Sequence, residues 1–211
     1  NHMISAREAL NRLREGNRRF TSNVRSLDML LSQTRRGEPP TGQQPIAVIL
    51  GCSDSRVPAE IVFDQGLGDL FVIRVAGNIV APCLVGSVEY AAAYCGTRLV
   101  VVLGHSQCGA ILATLEELRH PMMIQSRNLY SIIDHIRPSV EVLLSAELQR
   151  DSNDLVRDAV RANVLASANH LRHGSELLEK LILNDGLVVV GAEYSLETGL
   201  VEFFDGVPDS A

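Results

Sequence analysis

Two hydrophobic patterns alternate along this chain. In the first, a short run is apolar at every position: Ile46-Ala47-Val48-Ile49-Leu50, Leu70-Phe71-Val72-Ile73, Leu99-Val100-Val101-Val102-Leu103 and Leu187-Val188-Val189-Val190. A strand with apolar side chains on both faces belongs in a parallel sheet covered on both sides. In the second, apolar residues recur at three- and four-residue spacing among charged ones, which predicts helices over Ser5 to Phe20, Gly86 to Tyr94, Cys108 to Leu118, Leu129 to Leu148 and Asp154 to Leu183. A weaker helical pattern covers Leu27 to Arg35, before a loop from Gly37 to Gly42. Ser5 with Glu8 three residues on forms a capping box that starts the first helix, whose apolar stripe needs something to lie against. Gly199 to Phe204 reads as a fifth strand at an edge. Strands alternating with helices predict an α/β fold: a core of four parallel strands plus a C-terminal edge strand, flanked by helices.

Three strand ends carry polar strings. Cys52-Ser53-Asp54-Ser55-Arg56 follows the first strand, Arg74-Val75-Ala76-Gly77-Asn78 the second, and His105-Ser106-Gln107-Cys108 the third. Sites in open α/β sheets form at the carboxyl ends of strands. Two thiols and an imidazole are a zinc-binding set that leaves one tetrahedral position free, the composition of a catalytic rather than a structural site. Cys108 falls at the start of a helix, where positive backbone potential lowers a thiol's pKa. Asp54 and Arg56 are two apart, so in an extended segment they point the same way and can form a fork-to-carboxylate pair. Paired with Arg56, Asp54 leaves zinc open to water; released, it is a conditional fourth ligand. An open zinc lowers the pKa of bound water from about 15.7 to about 7, so the reading is attack of an activated water on a small carbon electrophile.

Composition narrows the picture without changing it. The 211 residues, 46% hydrophobic, suit one domain with a full core, read here over residues 4 to 211. Asn1-His2-Met3 has the look of a tag scar joined to a start codon and is left out of the fold reasoning. With 25 acidic and 19 basic side chains the net charge is −6, which argues against a nucleic-acid partner. No apolar stretch is long enough for a spanning helix, and thiols kept for metal fit the cytoplasm. The four cysteines are too few for a disulfide framework and contain no Cys-x-x-Cys, which removes a redox role. Cys95 reads as a small buried hydrophobe, Cys83 as a loop bystander, His170 and His173 as a solvated helix face, and His120 as loop. Gly66-Leu67-Gly68 lacks the strand and helix of a nucleotide loop.

From Glu15-Gly16-Asn17-Arg18-Arg19-Phe20 to the last strands, and above all in its Cys52 to Arg56, Arg74 to Asn78 and His105 to Gly109 strings, the chain resembles the β-class carbonic anhydrases. The resemblance implies that Cys52, His105 and Cys108 bind one Zn²⁺ per chain, that Asp54 and Arg56 form the catalytic dyad, and that the reaction converts CO₂ and water to bicarbonate and a proton. It also implies a homodimer or tetramer, with a projecting N-terminal helix wrapping a neighbouring subunit and active sites at the dimer interface. The family has an open site type and one in which Asp binds zinc at lower pH, locked by bicarbonate in a pocket that uses a Trp three residues before the first zinc Cys. That position is Ile49 here, and the chain has no Trp. Gln43, Phe71 and Tyr90 match the substrate pocket of the open type, with Gly109 after the last ligand, so the open type is expected at neutral pH. Arg74 and Tyr194 resemble other residues of the bicarbonate pocket. The alternatives are a carbon disulfide hydrolase on the same fold and an inert zinc-binding scaffold, the latter expected to have lost Asp54 or Arg56.

Overall fold

The structure, a computed structural model, describes residues 4–24, 43–121, 126–145 and 152–208. The helix read over Leu27 to Arg35 and the loop after it lie outside the described residues. Strands β1 (Ala47–Gly51), β2 (Leu70–Arg74), β3 (Leu99–His105), β4 (Val188–Tyr194) and β5 (Val201–Asp205) form one sheet in the order β2-β1-β3-β4-β5. The first four are parallel, and β5 runs antiparallel along the β4 edge.

Alternation along β1 and β3 divides their side chains between two cores. Ala47, Ile49, Leu99, Val101 and Leu103 face a cluster with Ala9, Leu10 and Leu13, residues of helix α1 (Ala6–Thr21). Val48, Leu50, Val100 and Val102 face Val88, Ala91 and Ala92 together with Val164, Ala168 and Leu171. The latter residues belong to helices α3 (Pro82–Tyr94) and α6 (Ser152–His173). Cover on both sides explains why both strands are apolar and buried throughout. Between these helices run a single turn, α2 (Ala59–Val62), then α4 (Gly109–Arg119) and α5 (Arg127–Ser145).

Ser5 caps α1 as its sequence predicts, accepting from the Glu8 N–H at 3.2 Å. The pattern alone left this helix without a partner in its own chain; the structure supplies one. Its apolar stripe lies on the first core cluster. Asn17 ties the helix down, donating through Nδ2 to the carbonyls of Val62 (3.1 Å) and Gly199 (2.9 Å) and accepting from the Val201 N–H (2.9 Å).

Three readings need correction. The helix expected over Asp154 to Leu183 is two helices, α6 and α7 (Glu176–Asn184). Apolar periodicity runs through the break, but a Cβ at Gly174 would lie 2.6 Å from the His170 carbonyl oxygen, and Ser175 caps the next helix by accepting from the Leu178 N–H. Cys83 is not in a loop: Pro82 opens α3, which places the exposed Cys83 in its first turn. Cys95 caps the end of that helix and is half-buried rather than core.

Gly16 is where α1 approaches the body most closely, since a Cβ there would sit 1.8 Å from the Phe63 carbonyl oxygen and 2.8 Å from its carbon. Alanine gains about 1 kcal/mol of helix propensity over glycine, but overpacking against backbone costs about 1–3 kcal/mol or more. Gly16→Ala is therefore expected to lower the melting temperature by several degrees in a circular-dichroism melt; an unchanged or raised melting point would show that the helix does not dock this way.

Candidate metal centre

Parallel register brings the ligands together. Gly51 pairs with Leu103, so β1 and β3 end side by side. Cys52 is the next residue after β1, His105 closes β3, and Cys108 caps α4 after a two-residue turn. Their donor atoms all lie within 4.8 Å of one another, and all three residues are buried. Among the described residues this is the one converging set of three or more His, Cys and acidic groups. The two sulfurs are 4.0 Å apart; two sulfurs each about 2.3 Å from a tetrahedral zinc would be separated by about 3.8 Å.

The imidazole is aimed for the same purpose. His105 Nδ1 lies 2.9 Å from the Ser106 carbonyl oxygen, so it carries the proton and Nε2 keeps its lone pair. That Nε2 is buried with no hydrogen-bond partner. A buried polar atom left orphaned is costly, and an ion bound by the two sulfurs would satisfy it. The residues present fit zinc.

The two thiols are pushed in opposite directions. The hydrogen bond from Cys108, then smaller ones including that of the Gly77 N–H at 3.4 Å, hold the Cys52 thiol far below its usual range despite burial. Cys108, the donor in this pair and deeply buried, is pushed up. Gly77 reaches the sulfur in a left-handed conformation (φ 71°), and a Cβ there would lie 2.8 Å from Ile136 Cδ1. Two side chains of α6 hold this turn in place. Asn163 donates to the Gly77 carbonyl at 2.7 Å and Ser167 to that of Asn78 at 3.0 Å. Asn78 is itself buried, its Nδ2 without a partner.

Asp54 and Arg56 form the fork their spacing suggests. Asp54 Oδ1 accepts from the Arg56 Nε–H and N–H, both at 2.9 Å, and Oδ2 accepts from Nη2 at 2.7 Å. This guanidinium holds the Asp54 carboxyl well below the usual carboxylate range. Asp54 Oδ2 is 3.9 Å from His105 Nε2, so the carboxylate flanks the donor set while remaining on its arginine. Arg74 secures the same loop from β2, donating to the carbonyls of Cys52 (3.0 Å) and Asp54 (2.5 Å).

The remaining sequence-predicted residues are placed differently. Gly109 is exposed at the first position of α4, and a Cβ there would meet nothing within 4 Å. Gln43 is exposed ahead of β1. Phe71 and Tyr90 are together, ring centroids 6.2 Å apart, and Tyr90 stacks on Tyr94 at 5.4 Å. Within one chain they do not join the sulfur cluster: Phe71 packs on the second core, Cys52 and Cys108 in a third with Ile111 and Ile136. Tyr194 and Ile49 are both buried in the first core. His120, His170 and His173 are exposed. Gly77, Asn163 and Ser167 support the site with no sequence signal beyond the Gly77-Asn78 string; nothing in the α6 pattern marks Asn163 and Ser167 except polar residues four apart on a buried face.

A sequence model of the carbonic anhydrase family matches residues 47–201. The chain is 37% identical over 187 residues to carbonic anhydrase 2 of Mycobacterium tuberculosis, covering 89% of this chain and 87% of that protein. Among solved structures, it resembles the Coccomyxa β-carbonic anhydrase in complex with acetazolamide, at 25% identity and a TM-score of 0.70, covering 90% of this chain and 83% of that one. It also resembles two tetrameric β-carbonic anhydrases from Sordaria macrospora, at 27% identity and a TM-score of 0.67, covering 77% of this chain and 82% of the matched chain. With its Cys-His-Cys cluster beneath the ends of β1 and β3, this chain belongs to the β-class carbonic anhydrases, zinc enzymes that interconvert carbon dioxide and bicarbonate.

Proposed function

We propose that this protein hydrates CO₂ at a zinc ion held by Cys52, His105 and Cys108, with Asp54 as the catalytic carboxylate and Arg56 as its anchor. The observation that carries the reading is the orphaned, tautomer-fixed His105 Nε2 beside two sulfurs 4.0 Å apart, with an ionised carboxylate 3.9 Å away. Bound zinc supplies a Lewis acid that makes water nucleophilic near neutral pH. Asp54 is placed to accept a hydrogen bond from a water that such an ion would hold and so to orient it, and Arg56 fixes the carboxylate in the direction this needs. The Asp54–Arg56 pair also speaks against an inert scaffold.

The open site type is supported by three features. Asp54 is bound to Arg56 at both oxygens. Ile49 and Tyr194 belong to the core rather than to a pocket. Arg74 is committed to backbone carbonyls.

The chain functions in this reading as one catalytic domain over residues 4 to 211, assembled as a homo-oligomer. Tyr94 is 82% exposed and Tyr90 49%, a stacked pair beside Phe71 on an edge of the sheet. A second copy would cover this patch and bring Gln43, Phe71 and Tyr90 to a neighbour's substrate pocket. No described helix is long and apolar enough to cross a membrane. Two thiol ligands suit a reducing compartment, and we assign the protein to the cytoplasm.

Stopped-flow CO₂ hydration from pH 6.5 to 9, with zinc counted per chain, tests the assignment. Cys52→Ala is expected to lose zinc and activity together. Asp54→Asn should keep zinc and lower kcat by about 10² or more; an equally active variant would sink the dyad. Full zinc with turnover of carbon disulfide but not CO₂ would move the assignment to that hydrolase.

The pH profile carries a sign. Asp54 has a folded pKa depressed below its unfolded value of 3.8. The stability its pair contributes is therefore fully present above that value and lost only as pH falls below it. Between pH 6.5 and 9 the pair is intact, and activity should rise in one shallow step toward alkaline pH. A steep loss below pH 8 would mean that Asp54 leaves Arg56 to close the site.

Zinc uptake by the metal-free protein offers a separate measurement. Because the hydrogen bond between the sulfurs lowers one thiol and raises the other, an indicator dye at pH 7.5 should report about one proton released by the pair rather than two. Two would show that both thiols are neutral before binding.

Light scattering should give a mass at least twice that of the chain, reduced by Tyr94→Asp. A monomeric parent would remove the proposed interface.

A further inference from the structure

We propose that Glu197 is a positioning residue for the zinc-ligand turn: from the β4–β5 connection, its carboxylate holds both residues between His105 and Cys108, so that the two ligands face one ion. The inference rests on the reading of Cys52, His105 and Cys108 as zinc ligands.

The turn poses a conformational problem. His105 ends a strand and Cys108 opens a helix, with only Ser106 and Gln107 to redirect the chain. Gln107 does so in the left-handed region, φ 54°, a conformation that costs a non-glycine residue unless the surroundings enforce it. Glu197 provides that enforcement with one oxygen for each residue. Oε2 accepts from Ser106 Oγ at 2.7 Å, and Oε1 accepts from Gln107 Nε2 at 2.6 Å. Hydrogen bonds to an ionised acceptor are the stronger kind. Ser106 is held from two more directions: its N–H donates to the Tyr194 carbonyl at 2.9 Å, and its Oγ accepts from the Leu196 N–H at 2.9 Å. The register His105 to Tyr194 is thus continued past the strand ends by side chains.

The β4–β5 connection does not itself need this carboxylate. The Gly199 N–H donates to the Ser195 carbonyl, the Ser195 N–H to the Leu200 carbonyl, and the Thr198 N–H to Ser195 Oγ. Within the connection the glutamate also accepts from Ser195 Oγ at 3.1 Å and from its own backbone N–H. Glu197 faces an open cavity of about 1020 Å³ that Arg157, Arg161, Glu193 and Glu202 also line. Arg161 there is engaged by Glu193 and Glu202. The Glu197 carboxylate is directed at the turn.

Zinc affinity, measured by competition with a chromophoric chelator, reads this role directly, and the cobalt(II)-substituted protein's visible spectrum reports ligand geometry. Glu197→Ala is expected to weaken zinc by about 10- to 100-fold, the range for lost groups that orient metal ligands, and to alter the cobalt spectrum. Adding Gln107→Gly to that variant should recover part of the loss, because glycine adopts the left-handed conformation freely. Gln107→Met removes one of the two anchors without touching Glu197, and should weaken zinc in the same direction if Glu197→Ala does not fold. Zinc affinity within twofold of the parent in Glu197→Ala, or in Gln107→Met where only that variant folds, would overturn the proposal. A parent that binds no zinc, or a Cys52→Ala variant that still binds it, would instead overturn the ligand assignment and the clamp with it.

Discussion

Two cysteine sulfurs 4.0 Å apart in a buried site are the constraint around which this protein is built. Two full negative charges at that distance, away from water, repel strongly. Without a cation the pair keeps one proton, shared in a hydrogen bond, and leaves the neighbouring His105 Nε2 unsatisfied. With a dication both problems disappear together. The parallel register of β1 on β3 makes the juxtaposition unavoidable, since strands that end side by side must deliver Cys52 and His105 to the same place.

Everything around that point divides between donors and supports. The donors come from strand ends and a helix start. The supports arrive from far along the chain: the Gly77 N–H on the Cys52 sulfur, Asn163 and Ser167 behind Gly77, and Arg74 on the loop that carries Asp54. Arg56 alone is local, and it keeps Asp54 ionised and turned beside the donor set rather than into it. Chemistry at this site therefore depends on carbonyls and amides being held still as much as on the ligands.

The strands and the donor set were legible because their signals are local. A fully apolar run names a covered parallel strand, and a polar string directly after it names a strand-end site; Cys52, Asp54, Arg56, His105 and Cys108 all follow from that logic. Legibility failed where a single close contact decides. The break at Gly174 uses a close approach to the His170 carbonyl that leaves no room for a Cβ, followed by the Ser175 cap, and apolar periodicity registers neither. The docking of α1 depends on Asn17 and on the space at Gly16, neither of which carries an apolar signal. Glu197 reads as an ordinary turn residue, since the two groups it binds are 90 and 91 positions away. Resemblance alone points to Phe71 and Tyr90, and within one chain they belong to a different neighbourhood from the metal ligands.

The strand order has a consequence for how this protein is made. β3 is buried along its whole length and sits at the centre of the sheet, yet its neighbour β4 is encoded only after four further helices, α4 to α7. While the nascent chain emerges, β1, β2 and β3 can assemble early, complete with all three metal ligands. β3 then presents a bare, hydrophobic, hydrogen-bonding edge until residues 188–194 leave the ribosome. Such edges template association between chains. The interval between β3 and β4 is thus a window of vulnerability during synthesis, which closes only when β4 pairs along that edge.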